Sequence, residues 1–448
     1  MLKGSLWDKI LIFTLPIAAS SILQQLFNSA DLAVAGRFAG SQALAAVGSN
    51  SQVISIIINV FLGLSVGANV VIGNFIGEGK LKNIQDAVHT AIAVSLISGF
   101  ALIFVGFFLA RPILTAMGTP DDVLESAILY LRIYFAGMPF IMIYNFASAV
   151  LRSKGDTLRP LLALLLGGAL NVVLNLVFVI VFKMAVSGVA VATLISNAVS
   201  GTIVTVCLMK EKGELHLDFK KLHINRHYLI MMIKIGVPSG LQGMVFNLSN
   251  IIIQSSINSF GSSAMAGSAS GQLYEFYTFY VVGAFNQAVV SFTSQNIGAK
   301  NFKRCKEVFR YCWFYSVIIM AVMVSVFIIF KEFFIGVCTK DPLAIKYGII
   351  RLLVVETFDC LICNYELSAS ALRAMGYSML PAIETIFGVC VIRIIWVLTV
   401  FAHYKAILAP EQAFAVLMAV YPVSWLITGP MVMGTYHVLR KKVFKAQS

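Results

Sequence analysis

VLRSKGDTLRP, Val150–Pro160, returns as ALRAMGYSMLP, Ala371–Pro381. Leu151, Arg152, Gly155 and Pro160 recur as Leu372, Arg373, Gly376 and Pro381, each pair 221 residues apart. The same interval joins Gly167 to Gly388, Gly40 to Gly261 and Lys82 to Lys303. It also joins Gly77 of NFIGEGKLK to Gly298 of QNIGAKNFK, while Pro16 and Pro238 differ by 222. Chance explains so many matches at one interval poorly; a fixed interval is the mark of a duplicated unit.

Composition says what kind of unit is duplicated. Hydrophobic residues make up 59% of the 448 and charged residues 12%, with a mean hydropathy of +0.88. Soluble domains carry about 25% charged residues. A chain this apolar reads as a polytopic membrane protein, because no single soluble core can bury so much apolar surface. The N-terminal MLKGSLWDK is followed by an apolar stretch long enough to span and lacking a small-residue cleavage site. It reads as a first membrane helix rather than a signal peptide.

A bilayer-crossing helix needs about 20 mostly apolar residues. Twelve segments qualify: 10–36, 48–76, 86–110, 124–151, 160–182, 186–209, 229–258, 264–293, 308–331, 345–372, 379–402 and 411–439. The sequence therefore predicts an all-α polytopic membrane protein, with twelve helices in two six-helix bundles. Six spans per repeat put both halves in the same orientation, a parallel repeat. The expected division is 1–209, a polar connector at 210–228 (KEKGELHLDFKKLHINRH and Tyr228), and 229–448. The connector reads equally well as a loop or an interfacial helix.

The net charge of +13 follows the same plan. Most of the Lys and Arg fall in alternate loops, among them Lys80 and Lys82, Arg152 to Arg159, the connector, Lys300 to Arg310, and Arg440 to Lys445. The positive-inside rule makes these loops and both termini cytoplasmic, in the cell membrane. Their partner is then the anionic leaflet rather than nucleic acid. The seven cysteines are scattered, and Cys360 and Cys363 form a CxxC without a second pair or a nearby His. They read as packing residues.

No GxxxxGK[ST] loop is present for a nucleotide, so any work this chain does across the membrane would draw on a gradient rather than on ATP. Intramembrane ionisable residues are then the candidates for its chemistry. Asp31 is the one acid in FNSADLAVAG, Phe27–Gly36. Asn171 and Asn175 stand at i and i+4 on one helix face. Glu275 sits among Tyr274, Phe276, Tyr277, Phe279 and Tyr280. An acid in aromatic surroundings suits an organic cation; a pair with an arginine fits equally. Glu356 and Asp359 are i and i+3, with Glu366 two turns on, and Arg351 or Arg393 can neutralise some of them. Asp359 is the first choice for a second coupling site. Gln242, Asn247, Asn250 and Gln254 give the seventh span a polar face suited to substrate or to packing. Gly63–Gly67 and Gly73–Gly77 are GxxxG packing motifs. His89 reads as structural.

FNSADLAVAGRFAGSQALAAVG, GNFIGEGK, VLRSKGDTLRPLLALLLGGALNVVLNLVFV, TSQNIGAKN and ALRAMGYSMLP together resemble the multidrug and toxic compound extrusion (MATE) transporters over essentially the whole chain. The resemblance implies two six-helix bundles around a central cleft and export of organic, often cationic, small molecules. It also implies coupling to a proton or sodium gradient without a prosthetic cofactor. It assigns the coupling ion to Asp31, with Asn171, Asn175 and Thr193 around it as H⁺- or Na⁺-binding partners. Many relatives carry Asp at the position of Asn175, so one carboxylate rather than two leaves the ion open. Some branches place a Glu in the seventh helix, where this chain has Phe246. That puts a C-terminal sodium site of their kind in doubt. A second site for substrate or proton is expected among Glu275, Asp359, Glu356, Tyr274, Tyr277, Gln242 and Asn247. The expected partners are small organic substrates and membrane lipids, with the chain acting as a monomer. Two other readings compete. A lipid-linked precursor flippase of the same superfamily would favour a cationic cavity and extra C-terminal helices. A membrane-embedded enzyme would need a nucleophile–base or HExxH-like constellation, and none is legible.

Overall fold

The computed structural model describes residues 1–447, with side chains for all of these except Ser41, Leu44, Ser49, Gln52, Ala446 and Gln447. Among the described residues there is no strand. The helices are α1 Trp7–Val34, α2 Ser41–Glu78, α3 Leu81–Ala116, α4 Asp121–Ala136, α5 Met138–Lys154, α6 Leu158–Leu176 and α7 Ala185–Met209. They continue as α8 Arg226–Asn258, α9 Ser262–Gly298, α10 Phe302–Ile329, α11 Lys331–Cys338, α12 Pro342–Val355, α13 Ile362–Ala374 and α14 Met379–Thr385. The last are α15 Ile392–Trp396, α16 Ala402–Lys405, α17 Pro410–Met418 and α18 Val420–Gln447. The fold is that of an all-α membrane protein built from two repeats.

Nine described helices are long and apolar enough to cross a membrane. The segment at 124–151, expected as one span, is a pair of helices bent by 45° between Ala136 and Met138. The break falls at Gly137, just before Pro139, which lacks the amide proton that would continue the ladder. The last two of the expected twelve are not among these long apolar helices. One is the 37-residue α9, which holds Glu275. The other is α12 plus α13, joined by a 3₁₀ turn, Glu356–Leu361, that contains Glu356 and Asp359.

The repeat is written in the helix ends. Gly155, at φ 107°, ends α5: its N–H donates to the Arg152 carbonyl and that of Asp156 to Leu151, both at 3.0 Å. Gly376, at φ 88°, ends α13 with the same two bonds, Gly376 to Arg373 and Tyr377 to Leu372, both at 2.9 Å. These are Schellman closures, which require a left-handed residue and so favour glycine. Gly79 (φ 70°) closes α2 in this way; its counterpart Lys300 takes the same region (φ 54°) against the preference of a side chain.

The chain divides into two compact units, Met1 with Leu11–Gly240, and Leu2–Ile10 with Leu241–Ser448. The border falls inside α8 rather than in the connector. Within the first unit the early part of α8 lies against α2 through glycines. A Cβ on Gly63 would come within 2.3 Å of the Gly240 nitrogen, and one on Gly67 within 2.3 Å of the Met232 carbonyl. The Gly63–Gly67 motif thus packs backbone on backbone. The connector forms only a three-residue 3₁₀ turn, Phe219–Lys221, not an interfacial helix. It is pinned to α3: the Asp218 N–H donates to His89 Nε2 at 3.3 Å, and the Asn225 N–H to Thr90 Oγ1 at 3.0 Å. His223 stacks on His89 with ring centres 5.9 Å apart, which gives His89 its structural role.

Candidate coupling site

Asp31 lies three residues before the end of α1, where the helix loosens into a π-helical turn, Ala35–Ala39. Asn171 and Asn175 lie on α6, which ends in a second π turn, Val177–Val181. Such turns recur at functional sites because they re-aim neighbouring side chains. Phe27, one turn before Asp31, reaches across to α6. A Cβ on Gly168 would overlap the Phe27 ring, at 1.8 Å. The absence of a side chain at 168 is what lets the Phe27 ring of α1 seat against α6.

This contact brings four polar residues together within the first unit. Asn175 Nδ2 donates to Asp31 Oδ1 at 2.5 Å, and Thr193 Oγ1 faces Asp31 Oδ2 at 3.2 Å. Asn175 Nδ2 also reaches Asn171 Oδ1 at 3.2 Å, and Asn171 Nδ2 reaches Thr193 Oγ1 at 3.3 Å. Asp31 is 6% exposed, Asn171 4% and Asn175 0%. No Lys or Arg pairs with Asp31 among the described residues. Every partner is a neutral donor. Asn175 Oδ1 is buried with no hydrogen-bond partner. Asp31, Asn171, Asn175 and Thr193 therefore offer an oxygen-rich cluster with one unfilled acceptor, the donor chemistry that suits a hard monovalent cation or a proton. No group of three or more His, Cys, Asp or Glu able to hold a metal occurs among the described residues.

The second unit treats its acids differently. Glu275 is held bidentately by Arg351, with Nε to Oε1 at 2.6 Å and Nη2 to Oε2 at 2.8 Å. Arg351 is 1% exposed and also donates to Ser268 Oγ at 2.7 Å. Of the two roles open to Glu275, this geometry is that of the ion pair. Tyr274 does not face a ligand space: its hydroxyl donates to the Phe334 carbonyl at 2.6 Å, and its ring packs on Phe327 and Phe334. Tyr277 packs against the same cluster. Gln242 Oε1 accepts from Arg373 at 2.8 Å, so it serves the interior. Asn247 is half-buried. Glu356 and Asp359 share the 3₁₀ turn and are 0% and 2% exposed. Both Glu356 oxygens and Asp359 Oδ2 are buried without hydrogen-bond partners.

The MatE family model matches residues 16–177 and again residues 238–399. The chain belongs to the MATE family of transporters. The two matched stretches coincide with the two repeats, and the family is one of transporters rather than enzymes. The chain is 26% identical to the probable multidrug resistance protein YoeA of Bacillus subtilis (strain 168), over 98% of this chain and 95% of that protein. It is also 26% identical to the probable multidrug resistance protein NorM of Thermotoga maritima, over 86% and 84% of the two chains. A solved structure described as an outward-facing conformation of a multidrug resistance MATE family transporter superposes with a TM-score of 0.90. It is 23% identical and covers 99% of this chain and 98% of that one, which shows the shared fold.

Two features of this MATE chain escape a reading of its sequence. Tyr130 and Tyr134, stacked with ring centres 6.1 Å apart on α4, lie near enough to Asp31 to interact with it electrostatically. No motif links them to Asp31 across 99 and 103 residues of chain. The choice of Arg351 rather than Arg393 as the partner of Glu275 was equally hidden. Arg393 instead lies over the Tyr421 ring, 4.4 Å from its centre.

Proposed function

We propose that the chain exports small organic molecules, cationic ones among them, across the cell membrane by exchange for H⁺ or Na⁺, with Asp31 as the coupling residue. The observation that carries this reading is the pairing of the acids. Glu275 has its charge met by Arg351, whereas Asp31, among the described residues, has only amide and hydroxyl partners. A charged group out of water needs compensation. At Asp31 a proton or a sodium ion supplies it, and either can leave again. Asn175 Oδ1, Asn171 Oδ1 and Thr193 Oγ1 are the oxygens that would join Asp31 around Na⁺. Loading removes an unpaired charge from between α1, α6 and α7 and lets them repack. Differential ion affinity between two packings is the thermodynamic requirement of alternating access.

Glu356 and Asp359 are a second acidic pair with the same need, and they serve as the further proton- or substrate-binding site. The export reading also rests on the names of the relatives, which are multidrug resistance proteins. Residues 1–209 and 229–448 act as the two moving lobes and 210–228 as their tether, with termini and basic loops cytoplasmic. One chain carries the coupling site within a single unit, so a monomer suffices. The test is purified protein in vesicles with proton and sodium gradients imposed separately and ethidium as the transported cation. Concentrative ethidium movement under one gradient supports the reading; none under either refutes it.

A further inference from the structure

We propose that the first unit contains a second ligand site, a polar cavity at Arg152 that binds an oxyanionic group, a carboxylate or a phosphate. The cavity holds about 80 Å³ between α1, α5 and α6, and is lined by Ser20, Ser21, Gln24, Tyr144, Asn145 and Arg152 among others. That is several times the roughly 10–15 Å³ that admits a single water.

Its one charged lining residue has nothing to balance it. Arg152 Nε is buried without a hydrogen-bond partner. No carboxylate among the described residues lies within ion-pair distance of its guanidinium. The acids nearest in sequence and at the next helix end are already engaged: Asp156 and Glu211 bind Arg159, and Glu211 also binds Lys154. A half-buried arginine with a bare Nε beside a void is a fork of donors awaiting a planar or tetrahedral oxyanion.

The repeat gives an internal control. Arg373, the counterpart of Arg152, likewise has a buried Nε without a hydrogen-bond partner, but Glu366, seven residues before it, interacts with it electrostatically. Gln242 fills the space on the other side, accepting from Arg373 at 2.8 Å. The corresponding positions in the first unit are Asn145, also seven residues before Arg152, and the small Ser20 and Ser21. The carboxylate has become an amide and the glutamine a serine. One unit therefore places a carboxylate and a glutamine beside its arginine, while the other has neither and leaves a cavity. Residues able to donate line that cavity: Gln24 is exposed, and the Tyr144 hydroxyl makes a long 3.2 Å bond to the Pro160 carbonyl.

The oxyanion has two sources, a carboxylate-bearing transported compound and the phosphate of an anionic lipid. The experiment uses the full chain in neutral detergent titrated with salicylate, and in nanodiscs of phosphatidylcholine with and without phosphatidylglycerol. Thermal stability and direct binding are read without any gradient. Wild type should gain stability with one of the two probes: salicylate assigns the site to a soluble carboxylate, phosphatidylglycerol to a headgroup. N145E supplies the missing carboxylate and keeps the arginine. It should fold, and should lose at least about tenfold in affinity for that probe; R152Q should lose it equally. D31N should bind as wild type does, which separates this site from the coupling proposal. Two results overturn the inference: no response of wild type to either probe, or an undiminished response in N145E.

Discussion

Asp31 and Glu275 are both acids in apolar helices, and the aromatic residues around Glu275 do not by themselves say which of the two is paired. What separates them is the company that folding supplies: Asn175 and Thr193 for the first, Arg351 for the second. A buried ion pair broken on one side leaves a naked charge, which costs about 3–5 kcal/mol. E275Q should therefore lower thermal stability sharply. The double variant E275L/R351M should recover most of the loss, because the pair is replaced by packing. Unfolding of the purified variants measures both. A transport defect in E275Q without loss of stability would instead return Glu275 to the list of working acids. The Asp31 cluster was partly legible, because Asn171 and Asn175 share a face by their spacing and the family likeness joins them to Asp31 and Thr193. Tyr130 and Tyr134 were not, since only tertiary packing brings them near.

At the scale of elements, the corners of the repeat were legible because glycine at a left-handed position is a chemical necessity. Lys300 is the exception that tests the argument. It occupies the position of Gly79 at φ 54° and is exposed. K300G should stabilise the chain by up to about 1 kcal/mol, the left-handed strain less the entropy of glycine. A loss of stability would mean that the Lys300 side chain contributes more than its backbone costs. Three helix ends are tied by Glu211, which accepts from Arg159 at 2.7 Å and Lys154 at 2.9 Å. The Arg159 hydrogen bond first, and that of Lys154 after it, hold the Glu211 carboxyl below its usual range. A folded-state value below the unfolded one adds stability that is complete above about pH 4.3 and lost as pH falls through the folded value. With both cations half-exposed, that contribution is below about 1 kcal/mol. E211Q should lower stability slightly at neutral pH and flatten its decline below pH 4, read from unfolding midpoints across pH. The 45° break at Gly137 lies beside Pro139, a residue that permits a bend without dictating one, and the 3₁₀ turn at Glu356–Leu361 was invisible beforehand. Hydropathy counts apolar residues and does not see the backbone path through them.

For the whole molecule, hydropathy and the 221-residue interval gave the class and the duplication, and the family match at 16–177 and 238–399 agrees with both. Two expected spans do not stand out as single long apolar helices: α9, which holds Glu275, and α12–α13, which the 3₁₀ turn divides into pieces of 14 and 13 residues. A membrane chain keeps an ionisable group inside only where it is paired or used. Glu275 is paired. The central claim is that Asp31 is used. The most direct measurement is ethidium transport by D31N in vesicles, under the gradient that drives the wild type. The amide keeps the shape and the hydrogen-bonding reach of the side chain and removes the exchangeable charge. The account predicts a folded, inserted protein that binds ethidium with near-parental affinity but moves none of it against its gradient. Gradient-driven transport by D31N at the wild-type rate would contradict it.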